Sequence, residues 1–174
     1  MVKLTPVGLC DPEFDRLSAQ VCESYPTACV LWIERVTNDA LEEAFQSCRK
    51  MLVEKRGVDI VRTVRLFHGT SQNNMHAILE GGFDPSKNVR SAFGHGTYFA
   101  TAAGYSKDYA QPDTDGVNYM LACDVLVGAV GNGCSQTAVH DAWVDQVSRP
   151  SVYVIPYAEA AIPRFVVAFH RDAK

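Results

Sequence analysis

Strand-like segments are concentrated in the last third of this 174-residue chain, and their uneven order limits the folds that the chain can adopt. Three apolar segments rich in β-branched and aromatic residues occur there, at residues 117–130, 152–157 and 162–169. Three earlier predicted strands, at residues 28–36, 64–67 and 97–100, are separated from one another by helix-like sequence and loops. Because strands and helices do not alternate regularly, this order predicts an α+β fold rather than a parallel α/β sheet.

Capping residues predict where the first three helices begin. Asp11 followed by Pro12 combines a capping side chain with a residue whose φ is already helical. Thr37, Asn38 and Asp39 all offer capping oxygens at the start of the clearest amphipathic segment, and Asp39 with Glu42 resembles a capping box. Ser71 is the expected cap of a third helix, shortly after the second predicted strand.

The length fits one domain and the composition fits a compact one. Hydrophobic residues make up 47% of the chain and charged residues 21%, close to the averages of globular proteins. We expect a single domain over residues 1–174, with a helical extension at 1–27 and a core at 28–170. No apolar run is long enough to span a membrane and the first residues lack the apolar stretch of a signal peptide, so we expect an intracellular protein of the cytoplasm, the nucleus or both, without membrane contact.

Charge and metal-ligand spacing disfavour two classes of function. The formal net charge of -4 disfavours nucleic acid as a partner, because the overall field repels phosphate backbones. Six cysteines are scattered without a Cys-x-x-Cys pair, and five histidines lack an i, i+4 pair on a helix. We therefore expect buried free thiols and no metal site.

Four short motifs follow one another along the chain. They are Phe67-His68-Gly69-Thr70, Gly94-His95-Gly96-Thr97-Tyr98-Phe99, Tyr105-Ser106-Lys107-Asp108-Tyr109 and Val152-Tyr153-Val154-Ile155. The second motif has two glycines of a dinucleotide-binding loop, but the third glycine is missing and no helix follows directly. A Rossmann-type site is therefore not expected.

In this order and spacing, the motifs resemble the catalytic domain of the poly(ADP-ribose) polymerase (PARP) superfamily. The resemblance extends from about Val30 to Phe169. It implies an ADP-ribosyltransferase fold of two abutting antiparallel β-sheets with flanking helices. It also implies that NAD is the co-substrate, held extended in a cleft where its bond to nicotinamide is broken.

The resemblance assigns four residues to the nicotinamide end of NAD. It implies that the main-chain N–H and C=O of Gly69 pair with the carboxamide, and that Ser106 adds a hydroxyl bond. Tyr109, three residues further along the same helical face, would present its ring to the nicotinamide, and Tyr98 would line the opposite wall.

The resemblance also places a catalytic triad, and this chain departs from it at one position. His68 and Tyr98 match the first two residues of the family's His-Tyr-Glu triad, and His68, with Thr70 nearby, is implied to bind the adenine-side ribose. Val152 stands where the glutamate is expected. Valine accepts no hydrogen bond and carries no charge to stabilise a ribose cation or activate a ribose hydroxyl, so polymer synthesis is not expected.

The missing acid does not by itself abolish transfer. A preorganised electrostatic partner contributes about 3 to 4 kcal/mol, or roughly a hundred- to a thousandfold in rate, whereas enzymes commonly supply at least about a millionfold. An acceptor carboxylate would supply the missing charge. We therefore expect a mono-ADP-ribosyltransferase that moves one ADP-ribose unit from NAD to a protein acceptor. The acceptor is either another protein or the enzyme itself.

Three alternatives stay open at this point. An inactive PARP-like module for protein interaction would also carry Val152, although such a module has no need of a nicotinamide clamp. The same fold would serve to ADP-ribosylate nucleic-acid ends or to remove an RNA 2′-phosphate, which the negative charge disfavours. Water as the acceptor would give an NAD glycohydrolase.

Two loops also attract attention. Residues 131–150 are predicted to form a long irregular stretch of the kind that binds ligands. Lys87 and Arg90 lie in a loop that resembles the family's donor loop, where they either screen the NAD pyrophosphate or simply lie on the surface.

Overall fold

The computed structural model describes residues 1–88, 92–133 and 139–171. The helices are α1 (Pro12–Ser24), α2 (Asp39–Arg56), α3 (Gln72–Gly81) and α4 (Ala103–Ser106), with 3-10 turns at Pro85–Lys87, Lys107–Tyr109 and Ala158–Ala160. The strands are β1 (Lys3–Pro6), β2 (Cys29–Thr37), β3 (Arg62–Thr70), β4 (Thr97–Ala100), β5 (Asn118–Val127), β6 (Val130–Asn132), β7 (Ala142–Val144), β8 (Val152–Ile155) and β9 (Ala161–His170). Within these residues, no helix is both long and apolar enough to cross a bilayer.

The strands form one mixed sheet in the order β1-β2-β9-β5-β3-β4-β8-β7-β6. Its two parts, β1-β2-β9-β5-β3 and β4-β8-β7-β6, meet at a single residue pair, Phe67 with Ala100. The α+β class is confirmed, but the two expected sheets are joined into one through this pair. Pairing is antiparallel except between β6 and β7, which run parallel.

Helices cover both faces of the central strands. On one face, Phe45 of α2 and Leu79 of α3 belong to the same apolar cluster as Leu121 of β5. On the other face, Leu17 of α1 clusters with Met120 of β5. Successive side chains of a strand point to opposite faces, so a strand buried on both sides appears in the sequence as a continuous apolar run. This arrangement explains why β5 shows no alternation of polar and apolar residues.

The caps predicted for α1 and α3 are confirmed. Of the three capping candidates before α2, Asn38 caps the helix, so the capping box predicted at Asp39 is wrong; the Asn38 side-chain oxygen accepts a hydrogen bond from the Leu41 N–H at 3.3 Å. The side-chain nitrogen of Asn38 donates to the Leu79 carbonyl at 2.9 Å. One side chain therefore begins α2 and ties it to α3, which a purely local pattern does not predict.

Short strands occur where the sequence does not predict them. β1 lies within the predicted helical extension, and β7 lies within residues 131–150, which are therefore not irregular throughout. Strands of three or four residues are too short to show a clear two-residue period. Just before β7, the buried Asp141 carboxylate accepts hydrogen bonds from Lys55 Nζ at 2.9 Å, Arg56 Nε at 2.7 Å and the Ala129 N–H at 2.9 Å. These bonds anchor this part of the chain to the end of α2.

The expectation of buried thiols is only partly correct. Cys48 and Cys123 are buried, whereas Cys10 and Cys29 are exposed. Burial raises the pKa of the Cys48 thiol to about 11. Cys134 lies outside the described residues. Within the described part of the chain, no group of three or more His, Cys, Asp or Glu residues is placed to hold a metal ion.

Candidate functional site

The candidate site lies where the two parts of the sheet separate. β3 pairs with β5 along its whole length, from Arg62 to Thr70, but it pairs with β4 only at Phe67. Among the described residues, the next part of β3, at 68–70, has no ladder partner on the β4 side. Because backbone N–H and C=O groups require hydrogen-bonding partners, this edge is open to the polar groups of a ligand.

His68 bridges the gap between the separating strands. Its Nδ1–H donates to the Tyr98 carbonyl oxygen at 2.8 Å, and its ring packs against Phe83 and Phe99 with centroids 5.3 and 5.6 Å apart. Desolvation among these rings lowers the pKa of His68, and the hydrogen bond to Tyr98 opposes part of that shift. The ring is therefore neutral at pH 7, and its Nε2 is an acceptor suited to a ribose hydroxyl.

Gly69 is in direct contact with the turn that carries α4. A Cβ at this position would lie 1.8 Å from the carbonyl oxygen of Ser106 and 3.1 Å from the backbone nitrogen of Ala110. The buried Ser106 hydroxyl donates to the Phe67 carbonyl at 3.1 Å and keeps its lone pairs for a ligand N–H. From the sequence, glycine is expected at position 69 because a ligand approaches the backbone there. The structure adds a second reason, which is the close contact with the Ser106 carbonyl oxygen.

Tyr98 is held by the loop that precedes it. The β4–β8 register places Tyr98 and Val152 on one face of the ladder. The Tyr98 hydroxyl accepts from the Phe93 N–H at 3.0 Å and donates to the Gly94 carbonyl at 2.8 Å. Burial raises the pKa of Tyr98, so its hydroxyl stays protonated at neutral pH. Because the hydroxyl is neutral and already accepts one hydrogen bond and donates another, Tyr98 is suited to line the wall of the cleft rather than to act as a general base.

Two tyrosines stand together on the turn that contains Ser106. The rings of Tyr105 and Tyr109 have centroids 6.0 Å apart and planes inclined by 34°. Both side chains are well exposed, at 41% and 38%. Burial of the Tyr105 hydroxyl and its hydrogen bond with Tyr109 raise the pKa of Tyr105 to about 12. The pair presents a neutral aromatic surface to solvent beside the open edge of β3.

Contacts from both ends of the chain support this turn. Arg171 Nη2 donates to the Lys107 carbonyl at 2.8 Å and to the Ala110 carbonyl at 2.6 Å. On the other side, the Gly104 N–H donates to the Ser24 hydroxyl at 2.9 Å. A Cβ on Gly104 would lie 2.2 Å from the Ser24 carbonyl oxygen, so α1 packs directly against the turn. The position of the turn thus depends on residues distant in sequence.

An acidic side chain lies next to Val152. Val152 is 1% exposed at the start of β8, and the Asp145 carboxylate accepts from its N–H at 3.0 Å. The same carboxylate accepts from the Ser151 N–H at 2.9 Å and from the Ser151 hydroxyl. Burial disfavours the charged form of Asp145, but hydrogen bonds from Ser151, Val152 and Gln146 outweigh that effect and lower the pKa of Asp145. A fixed negative charge therefore lies beside the third triad position.

The seven site residues predicted from the sequence lie on the elements that surround the separation of the sheet. They are His68, Gly69 and Thr70 on β3, Tyr98 on β4, Ser106 and Tyr109 on the α4 turn and Val152 on β8. His68 contacts Tyr98 and Gly69 contacts Ser106, while Thr70 is buried at the end of β3. The roles of these residues toward NAD stay predictions.

Sequence reasoning missed three residues of the site. The i, i+4 spacing of Tyr105 with the predicted Tyr109 was the available signal for Tyr105. Asp145 and Arg171 reach the site only through strand pairing and the return of the last strand, which leave no local pattern. Of the two basic loop residues, Lys87 lies on the surface 3.9 Å from the Asp84 carboxylate, and Arg90 is outside the described residues.

Comparisons with known proteins agree with the motif order. The family model of the poly(ADP-ribose) polymerase catalytic domain matches residues 13–156. Human protein mono-ADP-ribosyltransferase PARP14 is 28% identical over 177 residues, covering 92% of this chain and 10% of that protein. Human protein mono-ADP-ribosyltransferase PARP12 is 32% identical over 155 residues (82% and 22%), and mouse protein mono-ADP-ribosyltransferase PARP11 is 31% identical over 170 residues (79% and 51%). The chain thus spans from a tenth to about half the length of these relatives.

Proposed function

The chain belongs to the poly(ADP-ribose) polymerase catalytic domain family, and on that basis we propose that it transfers single ADP-ribose units from NAD to a protein acceptor and releases nicotinamide. One observation carries the proposal: Gly69 on the edge of β3 lies against Ser106, and a buried valine at residue 152 shares one face of the β4–β8 ladder with Tyr98. The names of the three relatives, all mono-ADP-ribosyltransferases, support it.

The residues present fit NAD at both ends of the open β3 edge. Near Gly69, backbone groups and the Ser106 lone pairs would meet the carboxamide, and Tyr98 and Tyr109 would enclose the nicotinamide ring. His68 Nε2, which has no hydrogen-bond partner among the described residues, would accept from the adenine-side ribose. When bound, NAD supplies the reactive bond between ribose and nicotinamide, and these residues orient it.

The valine determines how far the reaction proceeds. Breaking the nicotinamide bond builds positive charge on the ribose, and chain growth further requires a base that activates a ribose hydroxyl. The buried Val152 side chain supplies neither charge nor base. An acceptor carboxylate brings its own negative charge and needs no deprotonation at neutral pH. Acidic side chains of proteins, including this one, are therefore the acceptors that we propose.

The test follows labelled NAD. Purified wild-type protein and Tyr98→Ala are incubated with NAD labelled in its adenine, and label is measured on protein, on added nucleic acid and in free ADP-ribose, with intact masses recorded. We expect additions of single ADP-ribose units to protein, reduced at least about a hundredfold in Tyr98→Ala. Tyr157→Ala is the matched control, because Tyr157 is another partly buried tyrosine outside the site.

Each other outcome identifies a different function. Long polymers made by the wild-type protein would contradict the argument from Val152. Free ADP-ribose without labelled protein would indicate an NAD glycohydrolase, and label on nucleic acid would indicate a different acceptor. Absence of both NAD binding and NAD consumption would show an inactive module.

A further inference from the structure

We propose that Asp145 supplies the negative charge that stabilises the cationic nicotinamide–ribose end of NAD, in place of the acid that Val152 lacks. The inference rests on the proposed function. It concerns a residue on a neighbouring strand, and it explains how a site with an aliphatic third triad residue retains an electrostatic partner of its own.

The β7–β8 pairing brings Asp145 to the position where it is needed. β7 and β8 are antiparallel, with Trp143 opposite Val154 and Val144 opposite Tyr153. The next step of this ladder places Asp145 opposite Val152, and the Asp145 N–H donates to the Val152 carbonyl at 3.4 Å. Residues opposite one another in an antiparallel pair project from the same face. The Asp145 side chain therefore starts from the face that also carries Val152, and its carboxylate turns back to the main-chain N–H groups of Ser151 and Val152.

The carboxylate is held in place by groups that leave its charge intact. Its donors are the N–H groups of Ser151 and Val152, at 2.9 and 3.0 Å, and the Ser151 hydroxyl. All of these are neutral, and within the described residues no lysine, arginine or histidine lies within ion-pair distance of Asp145. Asp141, by contrast, is paired with both Lys55 and Arg56. Asp145 thus retains a net charge that Asp141 does not.

The electrostatic field of Asp145 extends to Tyr105, the neighbour of the tyrosine predicted to contact the nicotinamide ring. Its charge contributes to the raised pKa of Tyr105, whose ring stands 6.0 Å from that of Tyr109. A negative potential that disfavours a tyrosinate favours a cation in the same space. The positive charge of the nicotinamide ring, and then of the ribose as the bond breaks, would be stabilised there.

The magnitude follows from Coulomb's law. At an effective dielectric constant of about 20, a unit negative charge about 8 Å from a cation favours the cation by about thirtyfold. Screening by solvent and salt reduces this effect, so we expect about tenfold.

The test removes the charge and keeps the shape. In Asp145→Asn, the side-chain oxygen still accepts from Ser151 and Val152, so the β7–β8 connection is preserved. We expect kcat/KM for NAD consumption to fall about tenfold, because the loss of charge affects both the cationic nicotinamide of bound NAD and the ribose cation, with the unfolding temperature nearly constant. Adding Val152→Glu to this variant should restore kcat/KM. Asp59→Asn, an exposed acid on the turn before β3 and thus at the opposite end of that strand from His68, is the control for net charge.

A binding measurement makes the test independent of turnover. 1-Methylnicotinamide is cationic, with a methyl group in place of the ribose, whereas nicotinamide is neutral. Asp145→Asn should weaken binding of the cation by about fivefold and leave binding of nicotinamide unchanged. Equal weakening of both ligands, or loss of stability without rescue by Val152→Glu, would show that Asp145 only supports the fold and would overturn the inference.

The two proposals fail separately. If the wild-type protein consumes no NAD, the proposed function is wrong. In that case the ratio of the affinities for 1-methylnicotinamide and nicotinamide still tests the role of Asp145. An active wild-type protein whose Asp145→Asn variant has unchanged kcat/KM and an unchanged affinity ratio overturns the inference alone.

Discussion

Gly69→Ala tests the contact that determines the width of the nicotinamide end of the site. The added Cβ would lie 1.8 Å from the Ser106 carbonyl oxygen, whereas ordinary contact begins at 3.4 Å, so β3 and the α4 turn must separate by about 1.6 Å. β3 is paired with β5 along its whole length, while the turn is held by a few hydrogen bonds from Arg171 and Ser24. The turn would therefore move and carry Ser106 and Tyr109 with it.

This displacement should affect function more than stability. A misplacement of about 1 Å can cost about a hundredfold in rate, so we expect NAD consumption to fall at least a hundredfold, while overpacking destabilises the fold by about 1–3 kcal/mol. Steady-state rates of NAD consumption and the calorimetric affinity for benzamide, a mimic of nicotinamide, would report the effect on function. Urea unfolding would report the effect on stability. Gly81→Ala, where a Cβ meets nothing within 4 Å, is the matched control. Wild-type affinity of Gly69→Ala for benzamide would refute the reasoning.

Three further predictions concern the stability of the fold, the protonation of the site and its support. Asp141→Asn removes the anion that pairs with Lys55 and Arg56 and should destabilise the protein by about 2 kcal/mol at pH 7 in urea unfolding. Because the pKa of Asp141 is below its ordinary value of 3.8, this contribution is complete above that pH, and the two proteins should converge as the pH falls through the lowered pKa. The pKa of His68 is below 6.5, so the KM for NAD should be constant from pH 7 to 8 and should change only in acid; a change centred above 6.5 would contradict the neutral ring. Arg171→Ala should weaken benzamide binding several-fold, because the α4 turn loses two hydrogen bonds to its carbonyl groups. Arg171→Lys should cause a smaller loss, because the lysine ammonium still donates to a carbonyl; equal losses in the two variants would show that the guanidinium fork is required.

The parts of the fold that the sequence predicts correctly depend on local chemistry. The caps of α1 and α3 follow from one side chain and the backbone within three residues of it. Before α2 the local pattern offers three capping side chains, and the bond that Asn38 also makes to the Leu79 carbonyl joins it to a helix distant in sequence. The joining of the sheet at Phe67 and Ala100 depends on strands distant in sequence, and no local pattern contains that information.

The candidate site shows the same division. The order of short motifs is sufficient to place Gly69, Tyr98 and Ser106 near one another, but it does not show why glycine is needed at position 69. The carbonyl oxygen that excludes a side chain belongs to Ser106, on a turn that follows β4. Arg171 supports that turn from the far end of β9, a contact created only when the sheet is complete.

Asp141 and Asp145 show how far strand pairing, rather than residue type, decides the role of an acid. Both flank the same three-residue strand β7, and their sequence context does not distinguish them. The end of α2 brings two cations to Asp141, so its charge is neutralised and its hydrogen bonds contribute to stability. The first residues of β8 bring only neutral donors to Asp145, so its charge is retained next to Val152. Because neutral hydrogen bonds rather than a cation hold the charged form of Asp145, a bound cation would add stability to the folded protein, and this connects the stability of the protein to the charge of its co-substrate.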